Sequence, residues 1–391
     1  MANRFVLNET SYHGAGAIKD IATEAKGRGF KKAFVCSDPD LIKFGVTKKV
    51  IDVLEGAGLD YEIYSNIKPN PTIENVQTGV EAFKKSGADY LIAIGGGSSM
   101  DTAKGIGIVI ANPEFEDIRS LEGVAPTKNK SVPIFAVPTT AGTAAEVTIN
   151  YVITDVEKNR KMVCVDPKDI PVVAFVDPEM MSSMPKGLTA ATGMDALTHA
   201  IEAYTASLRS NFTDPLALKA ISMIDENLIK SYKGNEECRA LMHEAQCLAG
   251  MAFSNALLGI VHSMAHKVGA VFHIPHGCAN AIFLPYVIQY NRKTCEDRYA
   301  DIAEVLGVKG KDNKESTDLL INKIREFNKK LSIPASMEEY GITEDEFTSN
   351  VKFIAHNAVL DACTSSNPRT IDDKTMEKLL VCTYYGNDVE L

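Results

Sequence analysis

Residues 90–101 read YLIAIGGGSSMD, and this stretch decides the fold. The apolar run at 90–94 predicts a strand that is buried on both faces of a sheet. Glycines follow at 95–97, and residues 99–111 then have the spacing of a helix. A strand that passes through glycines into a helix begins a crossover to a parallel neighbour, so the stretch predicts an α/β domain.

The same alternation continues on both sides of this stretch. Short apolar runs predict strands at 33–36, 60–64, 132–137 and 172–176, and helical spacing is present at 47–57 and 72–86. Residues 151–154 and 161–165 instead predict a hairpin that turns through 155–159. We therefore expect an N-terminal domain at residues 1–183, with a mainly parallel, Rossmann-like sheet.

The second half of the chain has a different pattern, rich in Ala, Leu and Met at helical spacing. Helices are predicted at 188–207, 215–231, 236–253, 257–272, 297–306, 316–330, 345–356 and 372–385. No convincing strand pattern follows residue 186. The sequence therefore predicts an all-α C-terminal domain at residues 184–391.

The composition is that of a globular protein without a large basic surface. The 391 residues are 45% hydrophobic and 24% charged, both ordinary values for a globular chain. With 41 Lys and Arg against 51 Asp and Glu, the net charge is −10. Because no positive field would attract a phosphate backbone, we expect no nucleic-acid partner.

Membrane and secretion signals are not expected either. No run approaches the roughly 18 apolar residues of a membrane span, and the N-terminal residues lack the apolar core of a signal peptide. The eight cysteines are scattered and form no C-x-x-C pair. That pattern is typical of reduced thiols, so we expect a cytoplasmic protein.

Two turns could bind the phosphates of a dinucleotide. The glycines at 95–97 open a predicted helix, whose N-terminal amides favour an anion. Residues 138–143, PTTAGT, also end a predicted strand, and their hydroxyls suit a diphosphate or a ribose. Ligands of such sheets bind beyond the carboxyl ends of the strands. For either stretch alone, a tight turn without a ligand is the alternative.

Asp38 follows the first predicted strand. A carboxylate at this place could accept hydrogen bonds from ribose hydroxyls and repel a 2′-phosphate, which would favour NAD over NADP. The alternative is a helix N-cap or a turn residue, since Asp-Pro-Asp is typical of a turn.

Histidines cluster in the helical half. Four of the eight lie within 15 residues, at 262, 266, 273 and 276. His262 and His266 are spaced i, i+4 on one predicted helix and Asp195 and His199 on another, so each pair leaves one helix face. His276 is predicted in a loop. One carboxylate and three imidazoles suit Fe(II) or Zn(II).

The spacing leaves open which four of these six residues bind the ion. For any one of them, a hydrogen-bonded core histidine or a solvated helix face is the alternative. The remaining histidines, at 13, 243 and 356, are predicted to lie on the surface.

Four motifs together resemble the iron-containing (group III) alcohol dehydrogenases. They are GGGSSMD at 95–101, PTTAGTAAEVT at 138–148, GMDALTH at 193–199, and VHSMAH at 261–266 with PHG at 275–277. The resemblance runs essentially from end to end of the chain, and the combination is specific. The chain departs from the family pattern at Ser99 and Met100, where the family has Pro and Gln.

The resemblance implies a role for each matching position. Asp195, His199, His262 and His276 correspond to the metal ligands, and His266 to a non-ligating histidine beside the nicotinamide. The positions that correspond to dinucleotide contacts are Asp38, Asn70, Gly96, Gly97, Ser98, Ser99, Met100, Asp101, Thr139, Thr140, Thr143, Thr148 and Lys161. Asn150, Phe253 and Cys363 correspond to the neighbourhood of the substrate pocket.

The resemblance also implies an activity and an assembly. We expect an NAD(H)-linked dehydrogenase with a divalent metal, Fe(II) or alternatively Zn(II), that acts on a small alcohol or aldehyde as a homodimer. Lactaldehyde and 1,2-propanediol, from fucose or rhamnose breakdown, are the expected pair. Ethanol, butanol, 1,3-propanediol and glycerol are alternatives. His266 would relay a proton, since a histidine can give and take one near neutral pH.

Two other classes of protein remain as alternatives. A metal hydrolase could use the same ligands to activate water. However, a hydrolase does not need the two turns that suit a dinucleotide, so they favour the dehydrogenase. A non-enzymatic interaction protein could retain the fold, but all the expected ligand positions are present.

Overall fold

The computed structural model describes residues 4–158, 160–182 and 184–391. The chain divides into two compact units, which we call the α/β unit, Val6–Met184, and the helical unit, Pro185–Leu391. Phe5 belongs with the helical unit. Its ring centroid lies 5.8 Å from that of Phe212.

The described strands all lie in the α/β unit. In chain order they are β1 (Thr10–His13), β2 (Lys32–Ser37), β3 (Asp60–Tyr64), β4 (Tyr90–Gly95), β5 (Gly123–Val124), β6 (Ile134–Pro138), β7 (Asn150–Asp155), β8 (Arg160–Val165) and β9 (Val173–Val176). Six of them form a parallel sheet in the order β1-β9-β6-β4-β2-β3. A smaller sheet has the order β5-β8-β7, with β7 and β8 antiparallel.

Helices pack on both faces of the parallel sheet. They are α1 (Asp20–Gly27), α2 (Pro39–Lys43), α3 (Val46–Ala57), α4 (Ile73–Ser86) and α5 (Gly97–Ala111). Alternate residues of a strand point to opposite faces. Accordingly, Leu91 joins one buried cluster with residues of α4 and α5, and Ile92 joins another with residues of α1 and α3. This two-sided burial explains the uninterrupted apolar run of β4.

The helical unit contains no strand among its described residues. Its helices are α6 (Lys186–Thr205), α7 (Thr213–Tyr232), α8 (Glu236–Ala256), α9 (Ile260–Phe272), α10 (His276–Val305), α11 (Asn313–Lys330), α12 (Met337–Tyr340), α13 (Glu344–Val359) and α14 (Asp373–Tyr385). The predicted fold class, a mainly parallel α/β domain followed by helices, is confirmed.

Among the described residues, no single helix has both the length and the apolar composition to cross a membrane. The pair α8 and α9 passes that test together, but the two helices are bent by 103°. Buried core helices pass the same test, so this is weak evidence for a span.

The sequence did not indicate β1, β5 or α1, and it misplaced some helix bounds. The predicted hairpin is present as β7 and β8, although Asn159 of its turn lies outside the described residues. The predicted helix at 257–272 starts only at Ile260. Leu257 has a φ of 64°, which ends α8 there.

The prediction that His276 lies in a loop is wrong, because it is the first residue of α10. Pro275 and Gly277 led to that expectation, since both residues are common in turns. In the structure, the absence of a side chain at Gly277 allows α10 to pack closely against α6. A Cβ at this position would lie 2.1 Å from the carbonyl oxygen of Ala191 in α6.

The prediction that His243 lies on the surface is also wrong. His243 is completely buried in α8. This helix packs against both α6 and α7, so polar residues on the packed faces, such as His243, are buried with the apolar ones. His13 and His356 are exposed, as predicted.

Candidate metal and dinucleotide sites

Three helices of the helical unit bring predicted metal ligands together. Asp195 lies on α6, His262 on α9, and His276 at the start of α10. Asp195 Oδ1 is 3.7 Å from His262 Nε2 and 3.6 Å from His276 Nε2. Two ligands bonded to one ion at about 2.1 Å are roughly 3.4 Å apart in a tetrahedral site. The spacing of these atoms therefore fits a divalent ion.

His199, one helical turn after Asp195 on α6, lies in the same cluster. Its ring stacks on that of His262 with a centroid distance of 4.5 Å. On its other side it stacks on Phe253, at 4.2 Å. The structure therefore places Phe253, a predicted pocket residue, directly against a predicted ligand.

Glu202 is a member of the cluster that the sequence analysis missed. Its Oε2 lies 2.5 Å from His262 Nδ1, and its Oε1 accepts a hydrogen bond of 2.8 Å from the Val261 amide. A carboxylate on Nδ1 holds the proton there and leaves Nε2 available as a ligand. The signal was present in the sequence, since residues 195, 199 and 202 share one face of α6.

The charges in the cluster shift pKa values in opposite directions. Burial opposes a charge on His262, but Glu202 and Asp195 together raise its pKa to about 9. Burial would raise the pKa of Asp195, yet the surrounding imidazoles, His199 foremost, hold it far below its usual range. A cationic charge is therefore favoured at this point, and the donor set of carboxylate and imidazole suits Fe(II) or Zn(II).

His266, the predicted proton relay, lies beside this cluster on α9. Its Nδ1 is 3.1 Å from Asp361 Oδ2, and that oxygen also receives Lys267 Nζ at 2.8 Å. Burial lowers the pKa of His266 despite the Asp361 carboxylate, so the ring is neutral at pH 7. Its ring lies nearly parallel to that of His276, with centroids 5.3 Å apart.

Asp361, which the sequence analysis also missed, links His266 to Cys363. Its Oδ1 accepts a hydrogen bond of 3.1 Å from the Cys363 amide. Cys363, a predicted pocket residue, is thereby held close to His266. His273, the remaining histidine of the sequence cluster, is exposed at the end of α9 with a φ of 58°. It does not join the ligand group.

The two predicted phosphate turns are adjacent in the α/β unit. Gly95 of β4 pairs with Pro138 of β6, and the Thr139 amide donates a hydrogen bond of 3.0 Å to the Gly95 carbonyl. A Cβ at Gly96 would lie 3.1 Å from Thr140 Oγ1, and one at Gly97 would lie 3.1 Å from Thr143 Cγ2. Glycine thus permits the close contact of the turns at the N-terminus of α5, where amides favour an anion.

Some of the predicted dinucleotide residues have side chains that are buried in this structure. The side chains of Ser99 and Met100 are buried, and Met100 belongs to the hydrophobic core. Ser98 lies in the first turn of α5, beside them. Thr148 is buried too, and both its carbonyl and its Oγ1 accept hydrogen bonds from Lys104 Nζ, at 2.7 and 3.0 Å.

Lys104 is a buried cation that the sequence analysis missed. It is completely enclosed, and its Nζ also donates a hydrogen bond of 3.0 Å to the Asn150 carbonyl. The Lys104 side chain therefore fixes the backbone carbonyls of Thr148 and Asn150 at the start of β7. Three hydrogen bonds compensate for burial of the ammonium.

Asp101 also contacts β7, since its carboxylate accepts a hydrogen bond of 3.0 Å from the Val152 amide. Burial raises the pKa of Asp101 to about 7, although Lys104 and Lys161 oppose the shift. Lys161 pairs in register with Thr154. The Thr154 hydroxyl donates to the Asn70 carbonyl at 3.4 Å, so Asn70 and Lys161 lie on either side of Thr154.

Asp38 caps a helix in the structure. Its Oδ1 accepts hydrogen bonds of 3.0 Å from the amides of Asp40 and Leu41 at the start of α2. Asp38 is therefore a helix N-cap, as the alternative interpretation predicted, and this role uses only its Oδ1. Capping and contact with a ribose can coexist, because a carboxylate has two oxygens that accept.

The chain matches family models over nearly its whole length. One, described as iron-containing alcohol dehydrogenase, covers residues 8–178, and another, described as the C-terminal part of the Fe-containing alcohol dehydrogenase family, covers residues 189–384. The chain belongs to the iron-containing alcohol dehydrogenase family. It is therefore an oxidoreductase, and the predicted resemblance is confirmed.

Relatives in this family differ in substrate. The chain is 50% identical to the lactaldehyde reductase of Escherichia coli (strain K12), over 95% of this chain and 98% of the relative. It is 49% identical to the NADPH-dependent butanol dehydrogenase of Clostridium saccharobutylicum, over 99% of each chain. A solved structure of 1,3-propanediol oxidoreductase is 35% identical, with a TM-score of 0.94 over 98% of this chain and 100% of that one.

Proposed function

We propose that this alcohol dehydrogenase is an NAD(H)-linked, metal-dependent reductase of lactaldehyde that produces 1,2-propanediol. The convergence of Asp195, His262 and His276, with His199 stacked beside them, carries the metal dependence. The substrate rests on the likeness to a lactaldehyde reductase. Fe(II) is the ion we expect, with Zn(II) as the alternative.

The bound ion would supply polarisation of the substrate oxygen, and the dinucleotide would supply or accept the hydride. The protein holds the ligands: Glu202 fixes the tautomer of His262, and α6, α9 and α10 fix the positions of the donor atoms. His276 has a side chain 30% exposed, which marks the accessible side of the ligand group.

His266 is suited to moving the proton. It is neutral at pH 7, and Asp361 on Nδ1 would stabilise the ring when it becomes charged. We therefore propose that the neutral ring accepts the proton in alcohol oxidation, and that the ring, once protonated from solvent, gives a proton to the nascent alcohol in aldehyde reduction.

In the α/β unit, the amides at the start of α5 and the hydroxyls of Thr140 and Thr143 would bind the diphosphate. We propose NAD over NADP because the Asp38 carboxylate would repel a 2′-phosphate. The butanol dehydrogenase relative is NADPH-dependent, so this preference requires a direct test. The ratio of kcat/KM for NADH and NADPH with one aldehyde provides it.

A second candidate substrate is butanal. It is favoured by the likeness to a butanol dehydrogenase. The deciding experiment follows NADH consumption with lactaldehyde, butanal, propanal and 3-hydroxypropanal on enzyme loaded with Fe(II) or Zn(II). We expect the highest kcat/KM with lactaldehyde. A higher value with butanal would replace the first proposal by the second.

The assembly and the compartment stay predictions. We propose a homodimer and a cytoplasmic location, supported only by the resemblance and by the scattered thiols. Light scattering on the metal-loaded enzyme would measure the mass of the assembly.

A further inference from the structure

Asn280 lies in the middle of the ligand group, and the sequence analysis predicted no role for it. It is completely buried on α10, one turn after His276. Its Nδ2 is 2.7 Å from Asp195 Oδ1, 3.1 Å from His262 Nε2 and 3.2 Å from His276 Nε2. One amide nitrogen thus contacts a donor atom of each of three metal ligands.

These contacts give the amide a function when no ion is bound. An amide nitrogen carries two protons and no net charge. It can therefore donate one proton to the Asp195 carboxylate and the other to the lone pair of His276 Nε2. These two hydrogen bonds hold Asp195 Oδ1 and His276 Nε2 close to His262 Nε2, so less side-chain rearrangement is required when an ion binds.

The carbonyl oxygen of the Asn280 amide makes no comparable contact in the described part of the chain. Asn280 Oδ1 is buried and has no hydrogen-bond partner among the described residues. A buried acceptor without a partner costs about 1–3 kcal/mol, so it calls for an explanation. A 180° rotation of the amide exchanges its oxygen and nitrogen with little change of shape.

After that rotation the carbonyl oxygen, instead of the N–H₂ group, would face the donor atoms. Facing a cation, the oxygen is favourable and the N–H₂ group is not, since carbonyl oxygens are ligands of divalent ions. We propose that Asn280 is a further residue of the metal site. Its N–H₂ group positions Asp195 and His276 beside His262 in the ion-free enzyme, and its Oδ1 faces the ion or an ion-bound water in the loaded enzyme.

This proposal rests on the metal site of the proposed function, and the chain offers a matched control. Asn328 on α11 is also buried, and its Nδ2 donates a hydrogen bond of 2.7 Å to the carbonyl of Ala281, the residue after Asn280. Its Oδ1, like that of Asn280, lacks a partner among the described residues. Asn328 therefore resembles Asn280 in having a buried side chain, a hydrogen-bonded Nδ2 and an Oδ1 without a partner in the part of the chain that the structure describes. It differs because its Nδ2 donates to a backbone carbonyl and not to a metal ligand.

The test measures the dissociation constants of Zn(II) and Co(II) by chelator competition, with the unfolding temperature of ion-free and loaded protein. Asn280→Leu should weaken ion binding by about 10–100-fold, the range typical of residues that orient ligands. Asn280→Asp should tighten it by about tenfold and alter the visible spectrum of bound Co(II). Asn328→Leu and Asn328→Asp should lower the unfolding temperature and keep wild-type affinity.

The outcomes separate this inference from the proposed function. Wild-type protein that binds neither ion would overturn both. Wild-type binding with unchanged affinity in Asn280→Leu would overturn the inference alone, as would equal losses in the Asn328 variants. If Asn280→Asp weakened binding as much as Asn280→Leu, the role of Oδ1 would be wrong.

Discussion

The two candidate sites of this alcohol dehydrogenase are built in different ways. The phosphate turns of the α/β unit consist mainly of backbone, where Gly95 faces Pro138 at the carboxyl ends of β4 and β6. The ligand group of the helical unit consists of side chains from α6, α9 and α10. A backbone site tolerates side-chain changes that leave its turns intact. A side-chain site is sensitive to every donor and to every residue that orients one.

The largest effect is expected at His262. His262→Ala should remove most bound metal and nearly all activity, while the α/β unit still folds. It also leaves Glu202 buried without its partner, which costs on the order of 3–5 kcal/mol. Elemental analysis of the purified variant, with circular dichroism for folding, measures both. Full metal content in the variant would show that His262 is not a ligand.

His266 should have the next largest effect, without loss of metal. His266→Gln should lower turnover by about a hundredfold. In alcohol oxidation the wild-type rate should fall as the pH drops through the lowered pKa of His266, because a protonated ring cannot accept a proton. The variant should lack this limb of the profile.

His273→Gln, on the exposed end of α9, is the control for His266 and should behave as wild type. If His266→Gln lost metal and excess Fe(II) restored its activity, His266 would be a ligand and one of the four proposed ligands would exchange roles with it.

The sequence predicted the backbone site better than the side-chain site, for a physical reason. Parallel strands end at one edge of a sheet, so two turns after neighbouring strands must meet. Helical spacing assigns a residue to a face of its helix, but it does not say which faces pack together. Asp195 and His262 could be predicted as candidates, and Glu202 shares the helix face of Asp195, but its contact with His262 and the roles of Asn280 and Asp361 depended on contacts between elements.

Burial was the other property that spacing could not predict. His243 carries a polar ring and was expected in water, yet α8 is enclosed by α6 and α7. Nothing in the helical spacing of α5 marks Lys104 as buried. Its burial depends on the Thr148 and Asn150 carbonyls, which accept hydrogen bonds from its Nζ. Both residues are polar groups whose position depends on tertiary packing.

A smaller effect is expected on cofactor choice in the α/β unit. Asp38→Gly should raise kcat/KM for NADPH by about tenfold or more, because it removes a negative charge that would face the 2′-phosphate. Its effect on NADH should be smaller, limited to a lost ribose contact and a weaker cap of α2. Steady-state kinetics with both cofactors measure the change. Equal use of NADH and NADPH by the wild type would make this role of Asp38 wrong.

Asp101, which is partly buried, and Asp195, which is buried, are carboxylates of the two sites whose pKa values shift in opposite directions. Imidazoles lower the pKa of Asp195, whereas burial raises the pKa of Asp101 to about 7. The folded protein therefore holds a proton on Asp101 between pH ~4 and ~7 that the unfolded chain releases, and stability falls as the pH rises through this window.

Asp101→Asn retains an acceptor for the Val152 amide without a charge. We expect it to unfold at a higher temperature than the wild type at pH ~8, where the wild-type carboxylate must ionise, and to lose this advantage at pH ~4. Thermal unfolding across this range, with the exposed Asp60→Asn as control, measures the difference. A constant difference at every pH would show that Asp101 is ionised in the folded protein throughout.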